Sequence, residues 1–247
     1  MKYKIIISSC SIYSDCWEFI DKSMAKINNE YFEVFLVTDH NKECIGLKNI
    51  TIYETGVLDW SKSLMKYLQT IEDENIIFLQ EDYFLQDFYN VGIFDLLEKG
   101  VVNNNEPCMY LNEYYVERRS DEDFRGCSLQ AAVWHKSTFE ELIGKFPNPW
   151  CFEVYGGYYC RKKRLKFSCT TSPMIDYTFT AVNRGKWSAE GIQYIKQYYP
   201  NFDFTKRGVF LGDRYVRDKL NLLRKLVNLR NDKVRISIKN ALCVIFL

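Results

Sequence analysis

The feature that most constrains the fold is a continuous apolar segment, Asn75–Leu79, which ends in the polar residues Gln80-Glu81-Asp82. Strands that are buried on both faces of a parallel sheet have such uninterrupted apolar runs, whereas half-exposed strands alternate. Shorter strand patterns precede it, separated by helical or polar segments: Lys4–Ser8, Phe32–Thr38 and Ile50–Tyr53. This alternation predicts an α/β fold with a mostly parallel central sheet flanked by helices.

Polar side chains follow the predicted strands at the points where the strands end. Ser8 and Ser9 follow the first strand, Asp39 follows the second, and Glu81 and Asp82 follow the apolar strand. Ligands of open parallel sheets bind beyond the carboxyl ends of the strands. We therefore expect a binding site at this edge, in which Asp39 contacts the base or the ribose of a nucleotide. A role for Asp39 in capping alone remains an alternative.

Glu81 and Asp82, which we call the acid pair, are the sharpest candidate for chemistry. Two adjacent carboxylates repel each other unless a cation or hydrogen-bond donors lie between them. A divalent cation such as Mn²⁺ or Mg²⁺, bridging both acids to a diphosphate, would relieve that repulsion. The alternative, which the pattern leaves equally open, is that the two acids cap the following loop.

Several segments together resemble one family of enzymes. The segment Ile76–Phe84 resembles the part of nucleotide-sugar glycosyltransferases of the GT-A fold that carries their acidic DxD-type motif. Asp59-Trp60-Ser61, followed by a Leu-rich helix, is similar to bacterial capsule and lipopolysaccharide glycosyltransferases. Ser128–Trp134 and Asn148–Glu153 resemble their acceptor-side motifs, and the likeness extends over residues 1–190.

The resemblance implies a GT-A-like (Rossmann-like) catalytic domain over residues 1–203. It implies a hexosyltransferase-like enzyme that moves a sugar from a nucleotide-sugar donor to a lipid-linked glycan acceptor during surface polysaccharide synthesis. Aromatic rings pack well on the apolar faces of sugars and on bases, so Trp60 is expected on the donor side. Gln130, Trp134 and Trp150 are expected on the acceptor side. For each tryptophan, packing in the core is the alternative.

Glu153 is the predicted catalytic base, and Asp176 is the weaker candidate. An inverting transfer needs one carboxylate that takes the proton of the attacking acceptor hydroxyl. The neighbouring aromatic residues Trp150 and Phe152 predict partial burial of Glu153, which would make it a better base. The glycines Gly156-Gly157 are expected to leave room for substrate. An ion pair between Glu153 and the cations of residues 161–164 is the alternative.

The acid pair is contiguous, whereas the usual DxD motif has a spacer between its acids, so a metal-independent mode stays open. Arg184 and Lys186 flank a flexible glycine and could both reach one phosphate group. In that mode the two cations, rather than a metal ion, would neutralise the diphosphate of the donor. The alternative is an ordinary solvated turn.

The charge distribution predicts a basic C-terminal tail over residues 204–247. Eleven Lys and Arg stand against three Asp between Lys206 and Lys239, although the net charge of the whole chain is only +1. Leucines alternate with these cations, which is typical of an amphipathic helix on an anionic membrane surface. A helix packed on the domain, with solvated cations, is the alternative.

The location expected from the sequence is the cytoplasmic face of the inner membrane. The nine cysteines are scattered without a CxxC pair, which favours reduced thiols over a disulfide framework. The apolar run Ile5-Ile6-Ile7 is too short for a signal peptide or a membrane span.

Two other functions compete with glycosyl transfer. A nucleotidyltransferase also uses a parallel sheet and acids, but it would need a Gly-rich phosphate loop after the first strand, where Ser8-Ser9-Cys10-Ser11 has no glycine. A non-catalytic module that binds nucleic acid through the basic tail is the second rival. The tail has no recognised nucleic-acid-binding signature, so we expect no nucleic-acid partner.

Overall fold

The fold is built on a central seven-stranded sheet. The structure is a computed structural model that describes residues 2–40, 46–112, 127–178 and 180–210. The strand order is β3-β2-β1-β4-β7-β6-β8. The strands are β1 (Tyr3–Ser8), β2 (Phe32–Thr38), β3 (Thr51–Glu54), β4 (Asn75–Gln80), β6 (Cys108–Tyr110), β7 (Ala132–His135) and β8 (Phe167–Cys169).

The sheet is mostly parallel, as the sequence predicts. Pairs β1–β2, β2–β3, β1–β4 and β6–β8 are parallel, and only β7 runs antiparallel to its neighbours β4 and β6. The register pairs Ser8 with Gln80 and with Val37, so β1, β2 and β4 end at the same edge. We call this edge the donor edge, because the sequence predicts that a nucleotide-sugar donor binds there.

Helices cover both faces of the sheet, and successive side chains of the central strands point to opposite faces. Ile5 and Ile7 lie in the core cluster that also contains residues of α1 (Ser14–Met24), α3 (Asn90–Glu98) and α6 (Ala189–Tyr198). Ile6 lies in the second cluster, with residues of α2 (Trp60–Leu68), α4 (Lys136–Ile143) and α5 (Pro149–Lys162). Burial on both faces is the reason for the uninterrupted apolar runs.

The helix α5 corrects one expectation from the sequence. Pro149 starts this 14-residue helix, because the Asn148 side chain accepts a hydrogen bond from the Cys151 N–H at 2.9 Å and proline fits the first helical turn. Gly156 and Gly157 are buried inside this helix. A Cβ on Gly156 would lie 2.8 Å from Cys127 Sγ, so this glycine permits close helix packing and provides no space for substrate.

Two small sheets complete the described fold. One pairs β5 (Leu85–Phe88) with β9 (Ile175–Tyr177), and the other is a hairpin of β10 (Val182–Asn183) and β11 (Lys186–Trp187). Arg184 and Gly185 form its two-residue turn with φ angles of 51° and 73°, the left-handed values that a tight hairpin requires.

The first residues after Asp203 lie on the surface of the domain. A short 3₁₀ helix spans Phe204–Lys206, and the Trp187 N–H then donates to the Gly208 carbonyl at 3.0 Å. The predicted amphipathic tail beyond this point, residues 211–247, lies outside the described residues. In the described ranges, no helix combines the length and the apolar character needed to span a membrane.

Candidate functional site

Three of the predicted site segments meet at the donor edge. Ser8 ends β1, Asp39 follows β2, and the acid pair follows β4, all at the carboxyl ends of adjacent parallel strands. Ser8 is paired in register with Gln80, which directly precedes Glu81. Connectivity and strand pairing therefore produce the grouping of polar side chains that the sequence predicts.

The two carboxyl groups of the acid pair both have pKa values raised above their ordinary range. Burial is the main cause for Glu81, and the adjacent Asp82 carboxylate adds to it. Burial also raises the pKa of Asp82, although a hydrogen bond from the Val182 N–H opposes the shift. The charge of Arg207 lowers the pKa of both groups without cancelling the effect of burial. A cation docked between the two carboxyl groups would favour their ionised forms.

Asp39 holds the loop that follows β1. Its Oδ1 accepts the Ser11 N–H at 2.6 Å, and its Oδ2 accepts the Ser11 hydroxyl at 3.0 Å. Burial opposes ionisation of Asp39, but these bonds, together with donors from Thr38 and His40, lower its pKa below the usual value. Asp39 therefore fixes the conformation of the donor edge.

The two serines at the end of β1 orient indole rings. Ser8 is buried, and its hydroxyl accepts the Trp60 Nε1–H at 3.0 Å. The Ser9 hydroxyl accepts the Trp17 Nε1–H at 2.8 Å. Trp60 is half-buried and meets the ring of Phe152 edge to face, with centroids 5.8 Å apart. Of these residues, Trp60 has an accessible ring close to the strand ends, where a base or sugar could stack.

Arg207 is a residue of the site that sequence reasoning missed. Its guanidinium forms a two-pronged ion pair with the Asp15 carboxylate, and the Arg207 side chain is only 7% exposed. Its centre lies 4.7 Å from the Tyr13 ring centroid and 5.5 Å from that of Trp187. Burial opposes the charge of Arg207, but the bonds to Asp15 outweigh it and raise its pKa above the usual value.

Nothing near Arg207 in the sequence marks it, because its partners lie far along the chain. Asp15 is 192 positions away, and the basic run from Lys206 onward makes Arg207 look like one more tail cation. Its guanidinium also donates to the Ile12 carbonyl at 3.0 Å and to the Gly185 carbonyl at 3.4 Å. Arg207 therefore joins the loop after β1 to the β10–β11 hairpin.

The hairpin that carries Arg184 and Lys186 lies beside the acid pair. The Ala181 N–H donates to the Asp82 carbonyl at 3.2 Å, and the Val182 N–H donates to the Asp82 carboxylate. The side chains of Arg184 and Lys186 are both exposed. The location of the hairpin agrees with the metal-independent alternative, in which these two cations neutralise a diphosphate.

The predicted acceptor-side residues Gln130 and Glu153 connect to the acid pair through Tyr83. The Tyr83 ring stacks on that of Tyr177 with centroids 4.5 Å apart, and the Tyr177 hydroxyl donates to Gln130 Oε1 at 2.6 Å. Burial is the main cause of the raised pKa of Tyr83, and Tyr177, Asp82 and Glu153 add to it in that order. These contacts bring the acceptor-side segment next to the strand end that carries the acid pair.

The exposure of Glu153 differs from the prediction. Its side chain is exposed, so the partial burial predicted for it is not found. Glu153 Oε1 accepts the Leu129 N–H at 3.0 Å and the Ser128 hydroxyl at 3.2 Å, whereas Oε2 has no hydrogen-bond partner within the described residues. One oxygen of Glu153 thus orients the group, and among the described residues nothing binds the other.

Asp176, the second candidate for the base, lies elsewhere. It is on β9 opposite Asp87 of β5, and its side chain is exposed, whereas its neighbours Ile175 and Tyr177 face the core. Alternation along a strand directs Asp176 away from the face on which Tyr177 contacts Gln130. The structure does not bring Asp176 together with Gln130 and Glu153.

The two tryptophans that the sequence predicts on the acceptor side have opposite environments. Trp134 is 0% exposed, and its ring packs against Phe139 and Phe167, so it is a core residue and not the acceptor platform that we expected. Trp150 is 69% exposed in the first turn of α5, on the same helix as Glu153. An exposed ring of this size is available for contact with a ligand.

The carboxylate oxygens of the acid pair suit a metal ion that binds together with a diphosphate. Within the described ranges, no group of three or more His, Cys, Asp or Glu side chains could hold a metal ion. Mg²⁺ is commonly held by one or two carboxylates and completes its coordination with phosphate oxygens and water. Two adjacent hard carboxylates with raised pKa values match that mode, and they do not form a site of protein ligands alone.

No family model and no curated protein matches the sequence. Among solved structures, the mannosyltransferase PcManGT from Pyrobaculum calidifontis, in complex with GDP-Man and Mn²⁺, resembles the fold with a TM-score of 0.51 and 11% identity, over 83% of this chain and 66% of that one. The fold is GT-A-like. At this identity the likeness concerns the fold alone.

Two further structures are similar at lower scores. Residues 1–349 of S. aureus TarS give a TM-score of 0.48 and 12% identity, over 72% of this chain and 60% of that one. A cytidylyltransferase from Leptospira borgpetersenii gives 0.46 and 14% identity, over 71% and 81%. The chain therefore spans less than two thirds of the length of PcManGT and of the TarS fragment.

The raised pKa of Glu81 predicts a pH-dependent stability. Because folding raises this pKa, the folded chain binds the proton more tightly than the unfolded chain. The resulting contribution to stability is complete below the unfolded carboxyl pKa of about 4.3 and is lost as the pH rises through the folded value. The Tm of the wild type should therefore fall between pH 5 and 8, and the fall should be smaller in Glu81→Gln. Each kcal/mol by which the variant gains free energy of unfolding should raise its Tm by roughly 2–4 °C.

The matched control is Glu72→Gln, at an exposed position. It should leave the pH profile of Tm unchanged. Identical profiles for the wild type and Glu81→Gln, measured by differential scanning calorimetry, would contradict the electrostatic description of the acid pair.

Arg207 should contribute strongly to stability although it precedes a basic segment. Arg207→Gln removes the cation of a buried ion pair, a change that costs roughly 3–5 kcal/mol; since Asp15 is 31% exposed, we expect the lower end of that range. The control Lys206→Gln, at an exposed neighbouring position, should change the free energy of unfolding by less than about 0.5 kcal/mol. Equal effects in urea denaturation would show that Arg207 is an ordinary surface cation.

Proposed function

We propose that the protein is a glycosyltransferase that transfers a sugar from a nucleoside diphosphate sugar to a glycan acceptor. The observation that carries the proposal is the acid pair, which ends the central strand of a GT-A-like sheet with raised pKa values and with Arg207 nearby. Paired acids that favour a cation, beside protein cations, suit a ligand whose diphosphate binds together with a metal ion.

In this proposal the donor lies along the donor edge. Its diphosphate docks at the acid pair, and a bound Mn²⁺ or Mg²⁺ ion would neutralise the charge that develops on the leaving diphosphate. The hairpin cations Arg184 and Lys186 supply the same charge in the metal-independent variant. Asp39 and Ser9 line the nucleoside side, and Trp60, supported by buried Ser8, stacks on the base or the sugar.

Glu153 is the proposed catalytic base of an inverting transfer. Its Oε1 is held by the Leu129 N–H, which leaves Oε2 to take the proton of the acceptor hydroxyl. The acceptor oxygen attacks the anomeric carbon on the face opposite the diphosphate, and the bond from that carbon to the diphosphate breaks. Glu153 is exposed in the described structure. In this proposal the bound acceptor covers its carboxylate and excludes water from it.

The acceptor is proposed to be a lipid-linked glycan of surface polysaccharide synthesis. Gln130 and the exposed ring of Trp150 are the polar and aromatic contacts for it on the side of Glu153. Contact with an anionic inner membrane is proposed from the cations and leucines of residues 204–247. Most of that segment, residues 211–247, lies outside the described residues, so this part of the proposal depends on sequence alone.

The nucleotidyltransferase alternative is disfavoured by the loop after β1. Such an enzyme needs free backbone N–H groups there to bind phosphate. The Ser11 N–H donates to Asp39, the Ser9 N–H donates to the Val37 carbonyl at 2.9 Å, and the Tyr13 N–H donates to the Cys10 carbonyl at 2.8 Å. With these donors already engaged, the loop is a poor phosphate cradle.

Binding of the donor product tests the proposal. We expect UDP, GDP or another nucleoside diphosphate to raise Tm, because a ligand that binds only the folded state stabilises it, by about 2.7 kcal/mol at one hundred times its Kd. Asp82→Asn should weaken this effect, and Asp87→Asn, at an exposed acid on β5, is the matched control. The screen is run with and without Mn²⁺.

Two outcomes of this screen would correct the proposal. If no nucleoside diphosphate stabilises the wild type under either condition, the protein does not use such a donor. If Asp82→Asn weakens binding equally with and without Mn²⁺, then Asp82 is not a metal ligand.

Catalysis tests the assignment of the base. Glu153→Gln should lower kcat by roughly 10²–10⁴-fold, the usual contribution of general base catalysis, while donor binding is retained. Asp176→Asn, at the other candidate acid, should leave kcat within about twofold, because its carboxylate is directed away from the acceptor-side residues. Turnover retained in Glu153→Gln, measured by release of nucleoside diphosphate from the donor, would remove Glu153 from the mechanism.

A further inference from the structure

A depression of about 280 Å³ lies outside the donor edge, between β5 and α6. The α6 residues that line it follow the pattern i, i+3, i+4, i+7 and i+8, so they share one face of the helix. Its volume is close to the lower limit of roughly 300–1,000 Å³ for small-molecule sites, which suits one or two sugar units. We call it the glutamine depression, and it is lined by Gln86, Glu190, Gln193, Tyr194, Gln197 and Tyr198.

The polar groups of the glutamine depression are mainly neutral amides. Each glutamine amide both donates and accepts hydrogen bonds, which matches neighbouring hydroxyl groups of a sugar. Within the described part of the chain, the side chains of Gln86, Gln193 and Gln197 have no hydrogen-bond partner. Among the described residues that line the depression none is Lys or Arg and one, Glu190, is an acid, which disfavours a phosphate, and the polar lining disfavours a lipid chain.

Aromatic rings form the floor and one side of the depression. The Tyr194 ring is buried and packs on Phe84 with centroids 5.2 Å apart, and its other neighbour is Tyr198, at 5.1 Å. Tyr198 is 37% exposed, and the Lys22 ammonium group lies 4.6 Å from its ring centroid. The apolar faces of sugars pack well on such partly exposed rings.

The depression is rigidly connected to the acid pair. Gly191 of α6 packs on Ala181 so closely that a Cβ would lie 2.4 Å from the Ala181 carbonyl oxygen. Ala181 in turn donates its N–H to the Asp82 carbonyl. Phe84, two residues after Asp82, contacts Tyr194 on the floor of the depression. A ligand held here is therefore bound to the same packed block as the donor edge.

We propose that the glutamine depression is a subsite for neutral carbohydrate, which binds a part of the acceptor glycan remote from the reacting hydroxyl. The identification of the ligand as a glycan rests on the proposed glycosyl transfer. The amide lining, the partly exposed tyrosine ring and the absence of cations among the lining residues carry the assignment to a neutral sugar.

The test measures direct binding to the full chain with neutral oligosaccharides and no nucleotide. Maltohexaose, cellohexaose, chitohexaose and mannohexaose are titrated by isothermal calorimetry and by saturation-transfer NMR. We expect at least one of them to bind, and we expect Gln193→Ala/Gln197→Ala to weaken it by about tenfold or more, as the loss of two hydrogen-bonding amides implies. Gln69→Ala, at an exposed glutamine that follows α2, is the matched control and should bind like the wild type.

Two results would overturn the subsite: no binding of any of the four oligosaccharides, or binding that the double variant leaves unchanged. Both exchanged positions are exposed and helical, so alanine preserves the fold, which circular dichroism and Tm verify. Because no nucleotide is present, failure of this test is separate from failure of the donor screen. Donor stabilisation without sugar binding would reject the subsite alone, and sugar binding without donor stabilisation would reject only the nucleotide-dependent transfer.

Discussion

The arrangement of the donor edge depends on one electrostatic constraint, the close approach of two adjacent, half-buried carboxyl groups at the end of β4. Burial and mutual repulsion disfavour the charged forms of Glu81 and Asp82, and the nearby guanidinium of Arg207 only partly offsets this. Two like charges held this close lower the free energy of unfolding when no cation lies between them. The surrounding hydrogen bonds hold it in place: the Val182 N–H contacts the Asp82 carboxylate, and Asp39 fixes the neighbouring loop. A site with this balance favours ligands that bring positive charge, or a metal together with an anion.

The first half of the chain could be predicted closely from sequence because its signals are local. The predicted strand Phe32–Thr38 has the bounds of β2, and the helix predicted to follow Asp59 is α2, which Asp59 caps by accepting the Lys62 N–H at 2.9 Å. The space for substrate that we expected beside Gly156 and Gly157 is absent, because both glycines are buried in α5 and a Cβ on Gly156 would lie 2.8 Å from Cys127 Sγ. The sequence alone does not show which residue packs against a glycine, so this expectation could not be checked without the tertiary structure.

The candidate site was predictable only where chain direction alone determines position. Strand ends of a parallel sheet share an edge, so the grouping of Ser8, Asp39 and the acid pair followed from topology. Burial of individual aromatic residues did not follow: Trp134 and Trp150 carry similar local sequence signals, yet one is enclosed by Phe139 and Phe167 and the other is open to solvent. Only the three-dimensional neighbours of each ring distinguish a core residue from a ligand contact.

Arg207 connects parts of the donor edge that lie far apart in the sequence. Its ion pair with Asp15 joins segments at opposite ends of the described chain, and its contacts with Tyr13 and Trp187 bring the loop after β1 against the β10–β11 hairpin. The same hairpin donates to Asp82, so the electrostatic environment of the acid pair includes contributions from the first and the last described segments. Phe204 packs against the same core cluster as the central strands, and the charge of Arg207 lowers the pKa of both acids. The electrostatics of the donor edge therefore depend on residues 204–210 as well as on the strands that carry it. A binding site built from segments so far apart in the chain is sensitive to changes far from it in sequence, which local motifs do not reveal.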